Sequence, residues 1–128
     1  LFEGNVVDFV ELADYWGPTG PLTTLFRNRV AKKLEVRDHS HWTNVIANDL
    51  LEGEILVEPN CEHVLLLGNR EGPGKSCCVE PALPASLYYD GKPPFWTDLP
   101  WPAIGPGTKS GRQIVIPAQL RMGESRRR

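Results

Sequence analysis

An asparagine recurs at nearly constant spacing through the first half of this 128-residue chain, and this repeat constrains the fold more than any other feature. The intervals between successive copies are 23, 20 and 21 residues, a spacing typical of proteins that stack one coil on the next. An apolar residue stands three places before every copy, and a β-branched residue stands five places before the last three. The repeated residues are Asn5, Asn28, Asn48 and Asn69.

Each repeat predicts a strand, a turn at the asparagine and a second strand. A β-strand has a period of two, and the apolar positions before and after the asparagine do not share that period, so the chain must turn between them. Asparagine tolerates the left-handed backbone conformation, and we therefore predict that it adopts this conformation at the turn. The second strands are predicted at residues 6–12, 29–36 and 50–58.

Equivalent strands of successive repeats then stack in parallel, and the asparagine side chains form a hydrogen-bonded ladder, as in other cross-stacked β structures. This arrangement is a β-solenoid. A helical repeat would show a period of about 3.6 residues, and the Val, Thr, Ile and Asn residues of the repeat columns disfavour helix. A β-sandwich would give no reason for one asparagine in every repeat.

Three segments of the chain resemble the C-terminal coils of right-handed parallel β-helix proteins of the pectate-lyase-like superfamily. They are LFEGN, YWGPTGP followed by LFRNRV, and PASLYYDGKPPFWTDLPWPAIGP. The resemblance covers nearly all of the chain and implies an all-β, right-handed parallel β-helix from an extracellular or cell-surface protein. It does not imply one activity, because the superfamily contains lyases, hydrolases, adhesins and phage spikes.

Residues 1–72 carry the predicted coils, and residues 73–128 form a Pro- and aromatic-rich C-terminal segment of the same domain. Proline removes backbone donors, so this segment cannot continue the parallel sheet. We expect it to cap the solenoid by wrapping along it and over its end, with one short edge strand within residues 112–118. A platform for proline-rich peptides or sugars is the alternative. The terminal arginines are expected to be solvated.

The loop before the second asparagine and the residues around that asparagine supply candidate carbohydrate contacts. Tyr15 and Trp16 stand among glycines and prolines, where they could stack on a sugar ring or fold down onto the solenoid, and we favour the second for the pair. Asp14, Arg27 and Arg29 carry charges that suit an acidic sugar. The two arginines are expected at the surface, beside the asparagine corner.

Metal and nucleophile signatures are weak in this sequence. It has no Gly-rich phosphate loop, nucleophile elbow or zinc signature. His41, His63 and Cys61 have poor spacing for a metal site, so we expect neither a metal nor another cofactor there. The resemblance implies Ca²⁺ only if the chain is part of a lyase. Cys77 and Cys78 are adjacent, and the pairing of the three cysteines stays open.

Charge and hydropathy argue against two classes of partner. The net charge of −2 provides no field that attracts nucleic acid, and no apolar run approaches the roughly 20 residues that cross a bilayer. The chain opens at Leu1 inside an apolar strand, so we expect further coils or subunits to stack on its N-terminal end, with self-association. These features predict a non-catalytic structural or assembly module. The alternatives are a carbohydrate-contacting module and a fragment of a polysaccharide lyase or hydrolase with its active site upstream.

Overall fold

The computed structural model describes residues 1–17, 19–72, 75–76, 82–96, 98–108 and 115–125. Within these ranges the protein is nearly all β, and its parallel strands stack as a β-solenoid of about three turns, which confirms the predicted architecture. The strands are β1 (Phe2–Glu3), β2 (Val6–Leu12), β3 (Thr24–Phe26), β4 (Arg29–Val36), β5 (Asn44–Ile46), β6 (Asp49–Leu50), β7 (Ile55–Val57), β8 (Leu65–Leu67), β9 (Arg70–Glu71) and β10 (Lys75–Ser76).

The strands form two sheets that share the asparagine corner. The first sheet takes one short strand from each coil, in the order β1-β3-β5-β8, and all of its pairs are parallel. In the second sheet β4 lies between β2 on one side and both β6 and β7 on the other. β9 pairs in parallel with β6, and β10 returns antiparallel on β9.

The register of both sheets matches the columns of the repeat. In the first sheet the apolar residues three places before each asparagine lie opposite one another, and in the second sheet so do the residues two places after it. These columns fill the solenoid interior, where Leu25, Val30, Val45 and Leu50 are buried. The core therefore runs along the solenoid axis through the stacked coils.

The asparagine corner differs from the prediction in its backbone. The left-handed residue is the one before each asparagine, with φ of 50° at Arg27 and 57° at Ala47, and glycines occupy this place in the first and last coils. A left-handed residue there changes the direction in which successive side chains point, so the asparagine itself does not need this conformation. The predicted turn is confirmed, but its assignment to the asparagine backbone is wrong.

A second left-handed position lies at the other end of each first-sheet strand. Leu22, Trp42 and His63 stand six places before successive asparagines and have φ values of 63°, 56° and 56°. The N–H of Leu22 donates to the carbonyl of Trp42, and the N–H of Trp42 donates to the carbonyl of Glu62. Two left-handed residues therefore flank each of β3, β5 and β8 and bend the chain into a coil.

The predicted strand at residues 50–58 is interrupted. Val30 pairs with Leu50 and Leu34 pairs with Ile55, so the third coil contains one residue more than β4 between these pairs, which is a β-bulge. Gly53 lies in the bulge, where a Cβ atom would overlap the carbonyl oxygen of Lys32. The bulge therefore requires glycine at this position.

The C-terminal segment lies along the asparagine corner, with a 3-10 turn at Pro94–Trp96 and one helix, α1 (Pro117–Ser125), among its described residues. The predicted edge strand is not found in its described part, because residues 115–116 are not in a strand and α1 begins at Pro117. Proline favours the first position of a helix, where no backbone donor is needed. Residues 112–114 lie outside the described residues. No helix in the described ranges is long and apolar enough to cross a membrane.

Candidate functional site

The asparagine side chains form the predicted ladder along one corner of the solenoid. The Oδ1 atom of Asn28 accepts hydrogen bonds from the N–H and Nδ2 of Asn5, at 3.0 and 2.9 Å. Asn48 accepts the same pair from Asn28, at 3.0 and 3.0 Å, and Asn69 accepts it from Asn48, at 2.9 and 3.0 Å. The ladder therefore has a direction, in which each asparagine donates to the one in the following coil.

Three of the four ladder amides also hydrogen-bond to a strand of the preceding coil. The Nδ2 atoms of Asn28, Asn48 and Asn69 donate to carbonyl oxygens of the first sheet at 2.9, 3.0 and 2.8 Å. Asn48 and Asn69 are buried, with 0% and 2% exposure. Buried polar groups are costly unless they are paired, so this network specifies the stacking register of the coils.

The N-terminal end of the solenoid leaves the ladder open. Asn5 is exposed, and its Oδ1 atom accepts no hydrogen bond from the described residues. β1 and β2 are the outermost strands of their sheets on this side. Phe2 and Val7, whose equivalents in the next coil are buried, are 55% and 36% exposed. This end therefore presents an unpaired strand edge, an apolar surface and a free acceptor.

Arg27 is buried rather than at the surface as expected. Its Nε atom donates to the carbonyl of Pro84 at 3.0 Å, and its Nη1 atom donates to the carbonyl of Ile104 at 2.9 Å. The side chain is held under the C-terminal segment with 5% of the residue exposed, and this burial lowers the pKa of the guanidinium. The planar guanidinium of Arg27 therefore anchors the C-terminal segment to the asparagine corner through its N–H donors.

Arg29 is buried as well, and it belongs to a column of charges. The carboxylate of Asp49 lies 3.5 Å from Arg29 and 3.0 Å from Arg70. Burial lowers the pKa of Arg29, and the charge of Asp49 partly offsets that effect. Arg70 also donates to the carbonyl of Thr108 at 2.9 Å, which attaches the C-terminal segment to the last coil. The expected surface position of Arg29 is therefore wrong.

Tyr15 and Trp16 stand in a loop of residues 13–23, which is longer than the equivalent loops at residues 37–43 and 58–64. Trp16 is fully exposed, at 101%, and Tyr15 is 61% exposed, so the favoured interpretation that the pair folds down onto the solenoid is wrong. The Tyr15 hydroxyl donates to Glu11 at 3.0 Å, and this hydrogen bond raises the pKa of the phenol. Asp14 is half-buried at the start of the same turn, where its carbonyl accepts from the N–H of Gly17.

The weak metal candidates occupy ordinary structural positions. The Nδ1 atom of His41 accepts from the N–H of Glu62 at 2.9 Å, and His63 stacks on Trp42 with ring centroids 3.9 Å apart. Cys61 is a free thiol in the core. Among the described residues no group of three or more His, Cys, Asp and Glu side chains is arranged to hold a metal ion. The other two cysteines and the terminal arginines at 126–128 lie outside the described residues.

Sequence reasoning missed the anchoring role of Arg27 because the repeat gives no signal for it. The equivalent positions hold glycine or alanine, so the arginine occurs in one coil only, and its partners lie far away in sequence.

No protein-family model, curated protein or solved structure matches this chain.

Proposed function

We propose that this protein is a non-catalytic structural β-solenoid module whose N-terminal edge receives a further coil. The observation that carries the proposal is the open end of the asparagine ladder, where the Oδ1 atom of Asn5 accepts no hydrogen bond from the described residues. We include in the proposal an extracellular or cell-surface location and membership of the pectate-lyase-like superfamily, in agreement with the resemblance of the asparagine corner and the C-terminal segment.

The chemistry of the edge specifies what would bind there. Each of the first three coils donates a backbone N–H and an Nδ2 hydrogen to the following asparagine, so an incoming coil needs an asparagine corner to match Asn5. It also needs apolar residues to cover Phe2 and Val7, because exposed apolar surface on a strand edge favours association.

The two ends of the ladder are complementary. Asn69 ends the ladder, and its backbone N–H has no acceptor among the described residues, whereas Asn5 offers a free acceptor. Ends of this kind favour head-to-tail contacts, in which one copy donates and the next accepts. β10 covers part of the second sheet at the C-terminal end, but β8 remains an outermost strand of the first sheet. We therefore expect self-association through the N-terminal edge.

Sedimentation equilibrium over a range of protein concentrations tests this proposal. We expect the wild type to associate and the Phe2→Lys variant to remain monomeric, because a charge then lies on the apolar end of the solenoid. Trp42→Lys is the matched control, since Trp42 is 51% exposed and lies in a middle coil that hydrogen-bonds to a neighbouring coil on each side. A wild type that is monomeric at every concentration, or a Phe2→Lys variant that associates like the wild type, would count against the proposal.

A second candidate function, contact with an acidic polysaccharide, is supported by the full exposure of Trp16. Tyr15 is oriented beside it by its bond to Glu11. Large aromatic side chains are rarely left without contacts, and a sugar ring stacks well on an indole face. Binding to a panel of acidic polysaccharides should be lost in Trp16→Ala and kept in Trp42→Ala. Equal binding by both variants would refute this role.

A lyase or hydrolase fragment with its active site upstream is the remaining alternative. The resemblance then implies Ca²⁺ held by carboxylates, and the test is the release of unsaturated sugar ends from polyuronates in the presence of Ca²⁺. We expect no release from this chain.

A further inference from the structure

A cavity of about 380 Å³ lies where the C-terminal segment, the first coil and α1 meet. This volume is within the range of small-molecule sites. Most of its lining is apolar, and one wall is a cluster of five aromatic side chains. These are Tyr88, Tyr89, Phe95, Trp96 and Trp101.

The aromatic wall is held together by contacts within the cluster. Trp96 and Trp101 meet edge-to-face with centroids 4.8 Å apart, and Tyr88 and Tyr89 do so at 5.0 Å. The Nε1 of Trp96 donates to the carbonyl of Pro100 at 2.7 Å, which fixes this ring. Phe95 and Tyr88 are nevertheless 52% and 74% exposed. The wall is therefore pre-formed and still has ring surface available for a ligand.

The lining favours an apolar ligand body over a polar one. A sugar would bring several hydroxyl groups into an aromatic site, and each hydroxyl that loses water without gaining a partner costs free energy. The Trp96 indole donor is already used, and Ile104, Ile116 and Ala103, against which Trp96 packs, supply further aliphatic surface. An aromatic or aliphatic group fits these walls without such a cost.

Three charged side chains line the cavity, and two of them offset each other. Glu3 accepts from the N–H of Leu87 at 3.0 Å, and its charge acts on the buried guanidinium of Arg27. Arg121 projects from α1 and has no ion-pair or hydrogen-bond partner among the described residues. The uncompensated charge of the cavity is therefore positive.

The N-terminus of α1 also favours a negatively charged ligand in this cavity. Pro117 and Ala118, in the first turn of α1, line the cavity together with Arg121. The N-terminal turn of a helix carries a partial positive charge, which favours an anion close to it. Both the helix terminus and the guanidinium thus act on the same side of the cavity.

We propose that this cavity binds a small carboxylate with an apolar or aromatic body, in which the aromatic wall takes the body and Arg121 pairs with the carboxylate. Leu1, Glu3 and Gly4 of the first coil line the cavity, so it adjoins the N-terminal edge, but the inference does not rest on the solenoid-edge function because it concerns a small ligand instead of a coil. An alkylammonium ligand would also be attracted to aromatic faces. It is disfavoured here because the cavity carries two arginines and one glutamate.

Calorimetric titration of the full chain with three probes of the same shape tests the proposal: phenylpropionate, phenylpropanamide and phenylpropylamine. We expect phenylpropionate to bind about fivefold tighter than the amide, which is the ratio that an exposed ion pair of about 1 kcal/mol provides. The amine should bind more weakly than the amide. Equal binding of the carboxylate and the amide, tighter binding of the amine, or no binding of any probe would overturn the proposal.

Two variants locate the binding. Arg121→Gln should reduce the preference for the carboxylate, whereas Lys32→Gln, which removes an exposed cation away from the cavity, should keep it unchanged. Ala118→Phe should abolish binding of all three probes by filling the cavity. Both changed cavity residues are exposed, so we expect the fold to be retained, and circular dichroism checks this. Unchanged selectivity in Arg121→Gln would contradict the assignment.

Discussion

Replacing Asn48 with alanine removes the most connected side chain of the ladder without straining the backbone. Its Oδ1 atom accepts two hydrogen bonds from Asn28, and its Nδ2 atom donates to Asn69 and to the carbonyl of Leu25. The left-handed residue of this corner is Ala47, so position 48 does not need a special conformation. The substitution therefore removes the hydrogen bonds and packing of this side chain without a backbone effect.

The expected loss of stability follows from the groups left without partners. The buried backbone N–H of Asn28 loses its acceptor, which costs about 1–3 kcal/mol. The lost side-chain hydrogen bonds add about 0.5–1.5 kcal/mol each. Their total contribution lies at the low end of this range because Asn28 and Asn69 keep their other partners. We expect the free energy of unfolding to fall by roughly 3–4 kcal/mol.

Urea unfolding followed by circular dichroism measures this change. Asn44→Ala is a matched control, because the Asn44 amide is half-buried and donates to the hydroxyl of Thr24 at 3.1 Å. Asn5→Ala removes the exposed end of the same ladder. Both should cost about 1 kcal/mol or less. If Asn48→Ala cost no more than these two substitutions, the ladder would not be the stabilising network that we describe.

Three further substitutions test other contacts. Gly53→Ala should prevent the third coil from closing and lower the melting temperature strongly, because its Cβ would overlap the Lys32 carbonyl. Gly20→Ala is the control and should have little effect, because a Cβ there faces open space. Arg27→Met should cost about 2–4 kcal/mol and speed proteolysis of the C-terminal segment, since three carbonyl contacts are lost; unchanged cleavage would contradict the anchor. Trp16→Ala should change the free energy of unfolding by less than about 0.5 kcal/mol, and a larger loss would show that its ring is packed.

The stacking of the coils could be predicted from the sequence because it depends on local and periodic signals. Side-chain period, β-branched residues and the repeated asparagine act in every coil, and the observed registers of Leu25 with Val45 and of Val30 with Leu50 follow from them. The backbone of the corner was harder to assign. Arginine and alanine occupy left-handed positions at 27 and 47, where the stacked neighbours outweigh residue preference.

The candidate sites could not be predicted in the same way, because they depend on contacts between distant parts of the chain. Arg27 meets the carbonyl of Ile104 and Arg70 meets that of Thr108, and neither partner has a sequence signal that marks it. The exposure of Trp16 depends on whether apolar surface is available beside the loop, which the sequence does not specify. The cavity formed with Arg121 requires α1, which proline at its first position could have indicated.

Whether the N-terminal edge can receive a further coil is tested most directly by fusing a coil to it. A second copy of residues 24–43 placed before Leu1 continues the repeat in register and supplies an asparagine that matches Asn5. We predict that both the free energy of unfolding in urea and its dependence on urea concentration increase, because a larger folded unit exposes more surface on unfolding. The same extension with its asparagine changed to alanine should gain less. An extension that leaves both quantities unchanged would contradict the proposal that this edge receives a coil.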